Sequence, residues 1–417
     1  MARRRVAVTG LGLVSPFGGD REDFFARILA GESCIGHYVT DDLPRPLSLP
    51  AVQCAGFNAE AVLGKPLAGS MDRFCQLGVA AALDAWQHAG FDLADKSAKP
   101  DFGVAWGTAL GGTLAYEQGY RELWQKGRER ISPLSVILGM NNAASAHISI
   151  QLGLGNSSLT YTVACASATA ALGEAYRRIR DGEATVMMAG GSDAPLAYGV
   201  VRAWEALRVV ASGDEETSYR ACRPFHSDRT GLVLGEGAAA LVLEDWDHAV
   251  ARGAPILAEL AGYGASSDHS HLVRPEADGQ IRALKMALEE AGLAPRDIGY
   301  INVHGTATRE GDPAEISALR AVFGDHAEQL PVSATKSMHG HMMGAAGAIE
   351  ALITVMALGQ DALPPTAHLD AIDPACEGVR HIVGEALRGS RPRAALSNSF
   401  AFGGSNAVLA FRAAPKR

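Results

Sequence analysis

Four short segments of this 417-residue chain carry residue types that can do chemistry. In the first, Thr162-Val163-Ala164-Cys165-Ala166-Ser167-Ala168, a cysteine falls between the end of a strand-like run and the start of a helix-like one. Unpaired N–H groups and the positive end of a helix dipole at such a place favour a thiolate. Cys165 is therefore a candidate nucleophile, beside the plainer reading of a small buried apolar residue. In the second, Asn302-Val303-His304-Gly305-Thr306-Ala307-Thr308, a histidine at a strand end is followed by glycine and two hydroxyls. It is a plausible polar site, or an idle loop histidine among the 13 of the chain. The third, Lys336-Ser337-Met338-His339-Gly340-His341, leads into Gly344-Ala345-Ala346-Gly347. Its His-x-His spacing can bind zinc on a strand, but no third ligand lies nearby in sequence, so no metal is expected. The fourth, Asn398-Ser399-Phe400-Ala401-Phe402-Gly403-Gly404-Ser405-Asn406, is a strand breaking into a glycine turn. Backbone N–H groups freed there can serve as oxyanion donors, or the turn can simply pack.

These segments need elements to hold them. Short β-branched runs alternate with longer helical patterns, which argues for α/β layers. Residues 5–9 read as a buried strand, 73–88 as a helix, and 103–107 as a strand ending in a glycine turn. Two stretches then echo each other. Residues 158–163 form a strand that runs through Cys165 into a helix with Leu172, Tyr176 and Ile179 on one face and Gly182 at its C-terminal cap. A strand at 185–189 follows, ending at Gly190-Gly191. In the second half, a strand at 331–335 runs through 336–343 into a helix with Ile349, Leu352, Val355 and Met356, stopping at Gly359. A strand at 394–398 follows. The order of parts points to a duplication, with its seam near Arg252-Gly253-Ala254-Pro255. The expected division is residues 1–254, carrying the cysteine, and residues 255–417, carrying the histidines.

Composition narrows the class. Hydrophobic residues make up 47% and charged residues 20%, enough apolar material for a large buried interior. The net charge of −9 does not suit nucleic-acid binding. The six cysteines, Cys34, Cys54, Cys75, Cys165, Cys222 and Cys376, form no CxxC pair and fit reduced thiols. The basic start, Met1 to Arg5, is followed by an apolar stretch that Gly10, Gly12 and Pro16 interrupt, with no cleavage-like site. No stretch approaches the ~18 apolar residues of a membrane span. A cytoplasmic, membrane-free protein is expected. Gly10-Leu11-Gly12 suggests a dinucleotide loop, but the third glycine is missing and Pro16 blocks the helix. Ser227 and Ser333 lack the GxSxG setting of a serine hydrolase.

Together the segments resemble the β-ketoacyl-acyl carrier protein synthases, closest to synthase II of the synthase I/II branch, over essentially the whole chain. Val8-Thr9-Gly10-Leu11-Gly12 with Ser15-Pro16 and Gly18 is similar to the family's opening. Arg223-Pro224-Phe225 through Asp228, Gly231 and Gly235-Glu236-Gly237-Ala238 is similar to its mid-chain signature, and the HGTxT, KSxxGH and FGGSN segments follow in order. The resemblance implies a thiolase-like α/β fold of two duplicated halves in five layers, αβαβα. It implies a decarboxylative condensation of an acyl thioester, held on Cys165, with malonyl-acyl carrier protein, giving a 3-oxoacyl product in fatty-acid, polyketide or aryl-polyene elongation.

By the same resemblance His304 and His341 flank the malonyl thioester. Lys336 holds the local electrostatics with Glu315 as its partner. The N–H groups of Cys165 and Phe400 form the oxyanion hole. Thr306 and Thr308 bond the phosphopantetheine arm that the carrier protein delivers, no other cofactor being bound. Leu110 lines the acyl pocket with Phe400 as its gate, and Phe402 contacts substrate. Lys65, Arg73, Lys126, Arg128 and Arg130 are candidate docking charges for an acidic carrier. A homodimer, or a heterodimer with a chain-length-factor-like subunit, is implied. The competing functions are an accessory subunit without catalysis and a coenzyme A-dependent thiolase or acyltransferase. The latter needs a second catalytic cysteine, and Cys376 lies outside any suitable motif. Three features depart from the family: His339 where threonine is usual, Pro313 where lysine is common, and the loop at 268–274.

Overall fold

The computed structural model describes residues 3–41 and 44–415, so Met1 and Ala2 of the basic start lie outside the described residues. Ten strands build its central sheet: β1 Val6–Val14, β2 Phe102–Gly107, β3 Ser158–Tyr161, β4 Val186–Asp193, β5 Gly237–Asp245, β6 Ala258–Ser267, β7 Ile298–Asn302, β8 Pro331–Ser333, β9 Ala394–Ala401 and β10 Ser405–Ala413. A two-residue strand, Arg380–His381, extends the sheet beyond β8. The spatial order is β8-β7-β9-β10-β6-β1-β5-β4-β2-β3. Read outward from the β1–β6 seam, the two halves have the same order. In each, the three outer strands are mutually parallel and the two inner ones antiparallel. The seam itself is a short antiparallel pairing of Val6–Val8 with residues 258–260.

Six helices complete the repeat: α1 Arg73–His88, α2 Ala143–Leu152, α3 Ser167–Arg180, α4 Ala277–Ala291, α5 Gly311–Phe323 and α6 Ala346–Gln360. Helices α1 and α4 occupy equivalent places, each covering the outer face of its own half-sheet, with α2 and α5 beside them. Helices α3 and α6 lie back to back between the sheets. The result is the five-layer thiolase-like α/β arrangement, with α3 and α6 buried between the two half-sheets. Helix α6 is buried on nearly every side, which explains its all-round apolarity. With the turn before it, Met343–Gln360 has a mean hydropathy of 1.4 over 18 residues and reaches the length of a membrane span. The expectation that no stretch comes near that length is thus corrected. This helix is a core element, 89% buried in the fold.

Two expected strand ends are also corrected. Strand β1 runs through Gly10 and Gly12 rather than stopping at them, and β4 runs through Gly190-Gly191. The reason for the first pair is contact. A Cβ on Gly10 or Gly12 would lie 2.3 or 2.1 Å from the carbonyl oxygens of Ala85 and Ala81 on α1. The second half repeats the device. A Cβ on Gly262 or Gly264 of β6 would lie 2.5 or 2.0 Å from Ala287 and Ala283 on α4. These glycines let a helix sit close on a strand, a packing role unrelated to nucleotide binding.

Candidate active site

Cys165 stands in the connection from β3 to α3. Ala164 adopts a left-handed φ of 45°, and Ser167 clamps the turn by accepting from the Val163 N–H (2.8 Å) and donating to the Ala164 carbonyl (2.7 Å). The thiol is thereby held rigidly ahead of the α3 N-terminus, in a buried position. The equivalent connection in the second half, from β8 to α6, is longer. It contains the short helix Lys336–His339 and then His341, whose backbone is fixed on both sides by the mid-chain signature. The His341 N–H donates to Val233 (2.7 Å) and its carbonyl accepts from Gly235 (3.0 Å).

His304 follows β7. Two buried carboxylates on α5 shape its loop. Glu315 accepts from the N–H groups of His304 and Gly305, both at 2.8 Å, and Asp312 accepts from Thr306 (3.1 Å) and Phe225 (2.7 Å). Pro313 sits in the first turn of α5, where a missing N–H costs no intrahelical bond.

The two imidazoles and the thiol converge, with one ligating atom of each within 4.8 Å of the others. His341 Nε2 is 3.0 Å from the Cys165 sulfur, while its Nδ1 accepts from the Met343 N–H (3.2 Å). His304 Nδ1 faces the Lys336 ammonium at 3.3 Å. With each Nδ1 facing a donor, the ring proton of each histidine sits on Nε2 and faces the cavity. The same facts answer whether these three residues fit a metal ion. A ligating histidine normally donates its other N–H to an acceptor. Here both remaining nitrogens face donors and an ammonium stands alongside, so the set does not fit a cation. The His339-x-His341 pair does not converge either, because His339 Nε2 turns back to Thr335 Oγ1 (3.0 Å).

Burial governs the ionisation of the cluster. It pushes the Cys165 thiol up to about 12, against opposing pulls from the Lys336 charge and from the backbone N–H groups of Phe402 and Cys165 itself. The helix-start argument for a low thiol pKa is therefore outweighed. Burial first, then Lys336, holds His304 and His341 well below the usual imidazole range, so both are neutral donors. His339 is likewise held down, to about 3, by burial and Lys336.

Two expected assignments change. The ion-pair partner of Lys336 is Glu350 of α6, and Glu315 serves the His304 loop through the two N–H bonds above. The signal for Glu350 was available, since it is the only charged residue in an otherwise apolar helical run. Second, Phe402 replaces Phe400 as the candidate oxyanion partner of Cys165, because its N–H is the one in this turn that favours the Cys165 thiolate. Strand β9 continues to Ala401, which keeps Phe400 inside the ladder opposite Asn406. The Phe400 ring meanwhile stands edge-on to His304, centroids 6.3 Å apart. Leu110, expected to line an acyl pocket gated by Phe400, does not line this cavity. It lies in the turn after β2, where its N–H donates to the buried Asp193 (3.1 Å). Asp193 also gathers Thr108, Ala109 and Gly344, tying the two halves together.

The cavity holding the cluster measures about 490 Å³ and reaches the surface. Cys165 is the one cysteine on its wall. Thr306, Thr308, Phe400 and Phe402 also line it, and Trp204 stacks on Phe402 (5.6 Å, 17°). The departing loop at 268–274 forms part of the mouth through His271, Leu272, Val273 and Arg274. Leu272 is tied to the glycine turn through its carbonyl, which accepts from the Gly403 N–H (2.7 Å).

Comparison with known proteins identifies the family and agrees with the fold. Residues 3–249 match the family model of the β-ketoacyl synthase N-terminal domain, and residues 257–370 that of the β-ketoacyl synthase C-terminal domain. Nodulation protein E of Rhizobium sp. (strain N33) is 42% identical over 409 residues, covering 98% of this chain and 99% of the relative. The 3-oxoacyl-[acyl-carrier-protein] synthase 2 of Staphylococcus aureus (strain N315) is 37% identical, with 98% of each chain covered. Among solved structures, the ishigamide ketosynthase/chain length factor superposes with a TM-score of 0.91 at 31% identity, over 99% of this chain and 100% of that one. With both halves of the fold and the full motif set accounted for, this chain belongs to the β-ketoacyl synthase family.

Proposed function

We propose that this enzyme joins an acyl group, held as a thioester on Cys165, to the two-carbon unit left when malonyl-acyl carrier protein loses CO₂. The observation that carries the reading is the pair of Nε2–H donors, from His304 and His341, aimed at the space beside the Cys165 sulfur. In the first step the sulfur attacks the incoming thioester. The new carbon–sulfur bond replaces the one to the carrier's arm, which leaves as a thiol with the proton that Cys165 gives up. Because burial keeps Cys165 protonated, its deprotonation belongs to this step rather than to a standing thiolate.

In the second step the malonyl carbon–carboxylate bond breaks and CO₂ departs. The two Nε2–H groups hold the enolate oxygen that develops, each donor of this kind contributing about 3–4 kcal/mol. The enolate carbon attacks the Cys165 thioester, and the N–H groups of Cys165 and Phe402 hold the tetrahedral oxyanion. Collapse frees the sulfur and releases a 3-oxoacyl thioester. The sulfur leaves as a thiolate and takes one proton from solvent, which restores the Cys165 thiol and replaces the proton carried off on the first arm. Lys336, neutralised by Glu350, keeps His304 Nδ1 an acceptor and thereby its Nε2 a donor.

The arm is read as the phosphopantetheine of a carrier protein, bonded by the Thr306 and Thr308 hydroxyls. The mouth carries Arg208, Arg274 and Arg309, which suit an acidic carrier. Of the docking charges expected from sequence, Arg73 is committed to Glu236 and to the carbonyls of Cys54 and Phe57, and Lys126 and Arg128 both pair with Glu122. A dimer is part of the proposal. Strand β3 is an open sheet edge with Leu159 exposed, and Tyr116, Tyr120 and Trp124 stack along the exposed face of the nearby helix Thr113–Trp124.

The test is a parallel assay of malonyl-carrier protein and malonyl-coenzyme A with a panel of acyl donors of different chain length. Condensation with the carrier-borne donor, accompanied by equimolar CO₂, is expected. CO₂-free acyl transfer to coenzyme A would favour the thiolase or acyltransferase reading, and no turnover with any donor would favour an accessory subunit.

A further inference from the structure

One polar side chain in the cavity wall has no task in the account above. Gln280 lies in the first turn of α4 and is 1% exposed, yet it lines the cavity. Its Oε1 has no hydrogen-bond partner among the described residues. Of the carboxylates on the same wall, the buried Glu315 and Asp312 are engaged by backbone N–H groups. Buried polar atoms are paired in the great majority of cases, so an unpaired one facing a binding cavity points to a ligand group.

Gln280 is also held firmly in place. The buried Asp268 accepts from Asn406 Nδ2 (2.7 Å) and from the Glu276 N–H (3.0 Å), and Ser266 Oγ donates to the Gly279 carbonyl (2.6 Å). These bonds fasten the start of α4 to the turn that carries Phe402. A carboxamide offers one acceptor oxygen and two N–H donors, and its complement is another amide. A second ligand contact is available. Thr308 Oγ1 accepts from the Gly311 N–H and lies 3.0 Å from Thr306 Oγ1, so a Thr308-to-Thr306 bond leaves the Thr306 proton for a ligand carbonyl.

We propose that Gln280 is a specificity-determining residue that hydrogen-bonds a secondary amide of the arm carrying the thioester into this cavity. The inference rests on reading the cavity as a thioester site. Carrier proteins and coenzyme A both present such an amide-bearing arm, so the experiment uses each. Steady-state condensation is measured for the wild type and for Gln280→Met. The malonyl donor carries either the native arm or an arm with one amide N–H at a time replaced by an ester oxygen. On whichever carrier supports turnover, Gln280→Met is expected to raise KM about tenfold at unchanged kcat, the loss of one such bond. The wild type should show the same rise with one of the two ester arms, and the variant no further rise with it.

Unchanged KM in the variant, or losses from variant and ester that multiply for both arms, would overturn the proposal. A wild type whose KM rises with neither ester arm would also overturn it without any variant, so a misfolded Gln280→Met leaves the proposal falsifiable. A wild type that condenses no donor at all would instead overturn the condensation reading, and this inference with it.

Discussion

The connections β3–α3 and β8–α6 occupy the same place in the two halves of the fold, and they do opposite chemical work. The first is short and presents one sulfur from a turn clamped by Ser167. The second, residues 334–345 against 162–166, is seven residues longer and presents an ammonium and an imidazole. Its geometry is fixed from outside by Val233, Gly235 and Glu350. Each contains a non-glycine residue in the left-handed region, Ala164 and Met343. The lesson is that duplication supplies two equivalent strand-to-helix turns facing one another. The shorter turn holds a nucleophile and the longer one supplies proton donors.

The sharpest way to break this division is to remove the nucleophile. Cys165→Ala is expected to lower condensation by more than about 10⁴-fold, measured as 3-oxoacyl product formation, while the fold persists. Next comes the buried pair of the longer turn. Glu350→Ala leaves the Lys336 ammonium buried and unpaired, so chemical denaturation should show a loss of about 3–5 kcal/mol. His304→Ala and His341→Ala should each lower CO₂ release from malonyl thioester by about 10²–10³-fold. Unchanged release in either would remove that residue from the enolate site. Smaller again are the helix-on-strand contacts that the halves share. Gly12→Ala and Gly264→Ala are expected to destabilise by similar amounts, about 1–3 kcal/mol each, in the same denaturation assay.

The smallest effect concerns ionisation. The Cys165 thiol is pushed up by burial, so its thiolate fraction grows as pH rises toward about 12. Iodoacetamide alkylation of Cys165 should therefore keep accelerating through pH 10. Lys336→Met should slow it at every pH, since the lysine charge favours the thiolate. A plateau near pH 7 would contradict the dominance of burial.

Much of this site was legible because its residues carry local signals. Cys165 and His304 each stand at the end of a strand-like run and His341 at a helix entry, all beside glycine or hydroxyl residues, and residues 73–88 read as the helix that α1 is. What was not legible depends on distant partners. Phe400 and Phe402 are two residues apart, so strand alternation treats them alike. Only the hairpin with β10, pairing Ala401 with Ser405, decides which N–H is free. Glu315 and Glu350 both lie on helices, and which of them meets Lys336 depends on how α5 and α6 seat against different strands. The Cys165 pKa was not legible for a related reason. A helix start can be read from sequence, but the depth of burial that opposes it comes from the whole fold.

The central claim is that one sulfur carries the acyl chain while the opposite turn generates the carbanion. It is tested most directly by incubating the enzyme with an acyl-carrier protein thioester, mapping the adduct by peptide mass spectrometry, and then adding malonyl-carrier protein. The account predicts an acyl group on the Cys165 peptide that disappears as 3-oxoacyl product and an equal amount of CO₂ form. Product appearing with no acyl group ever found on Cys165 would contradict it.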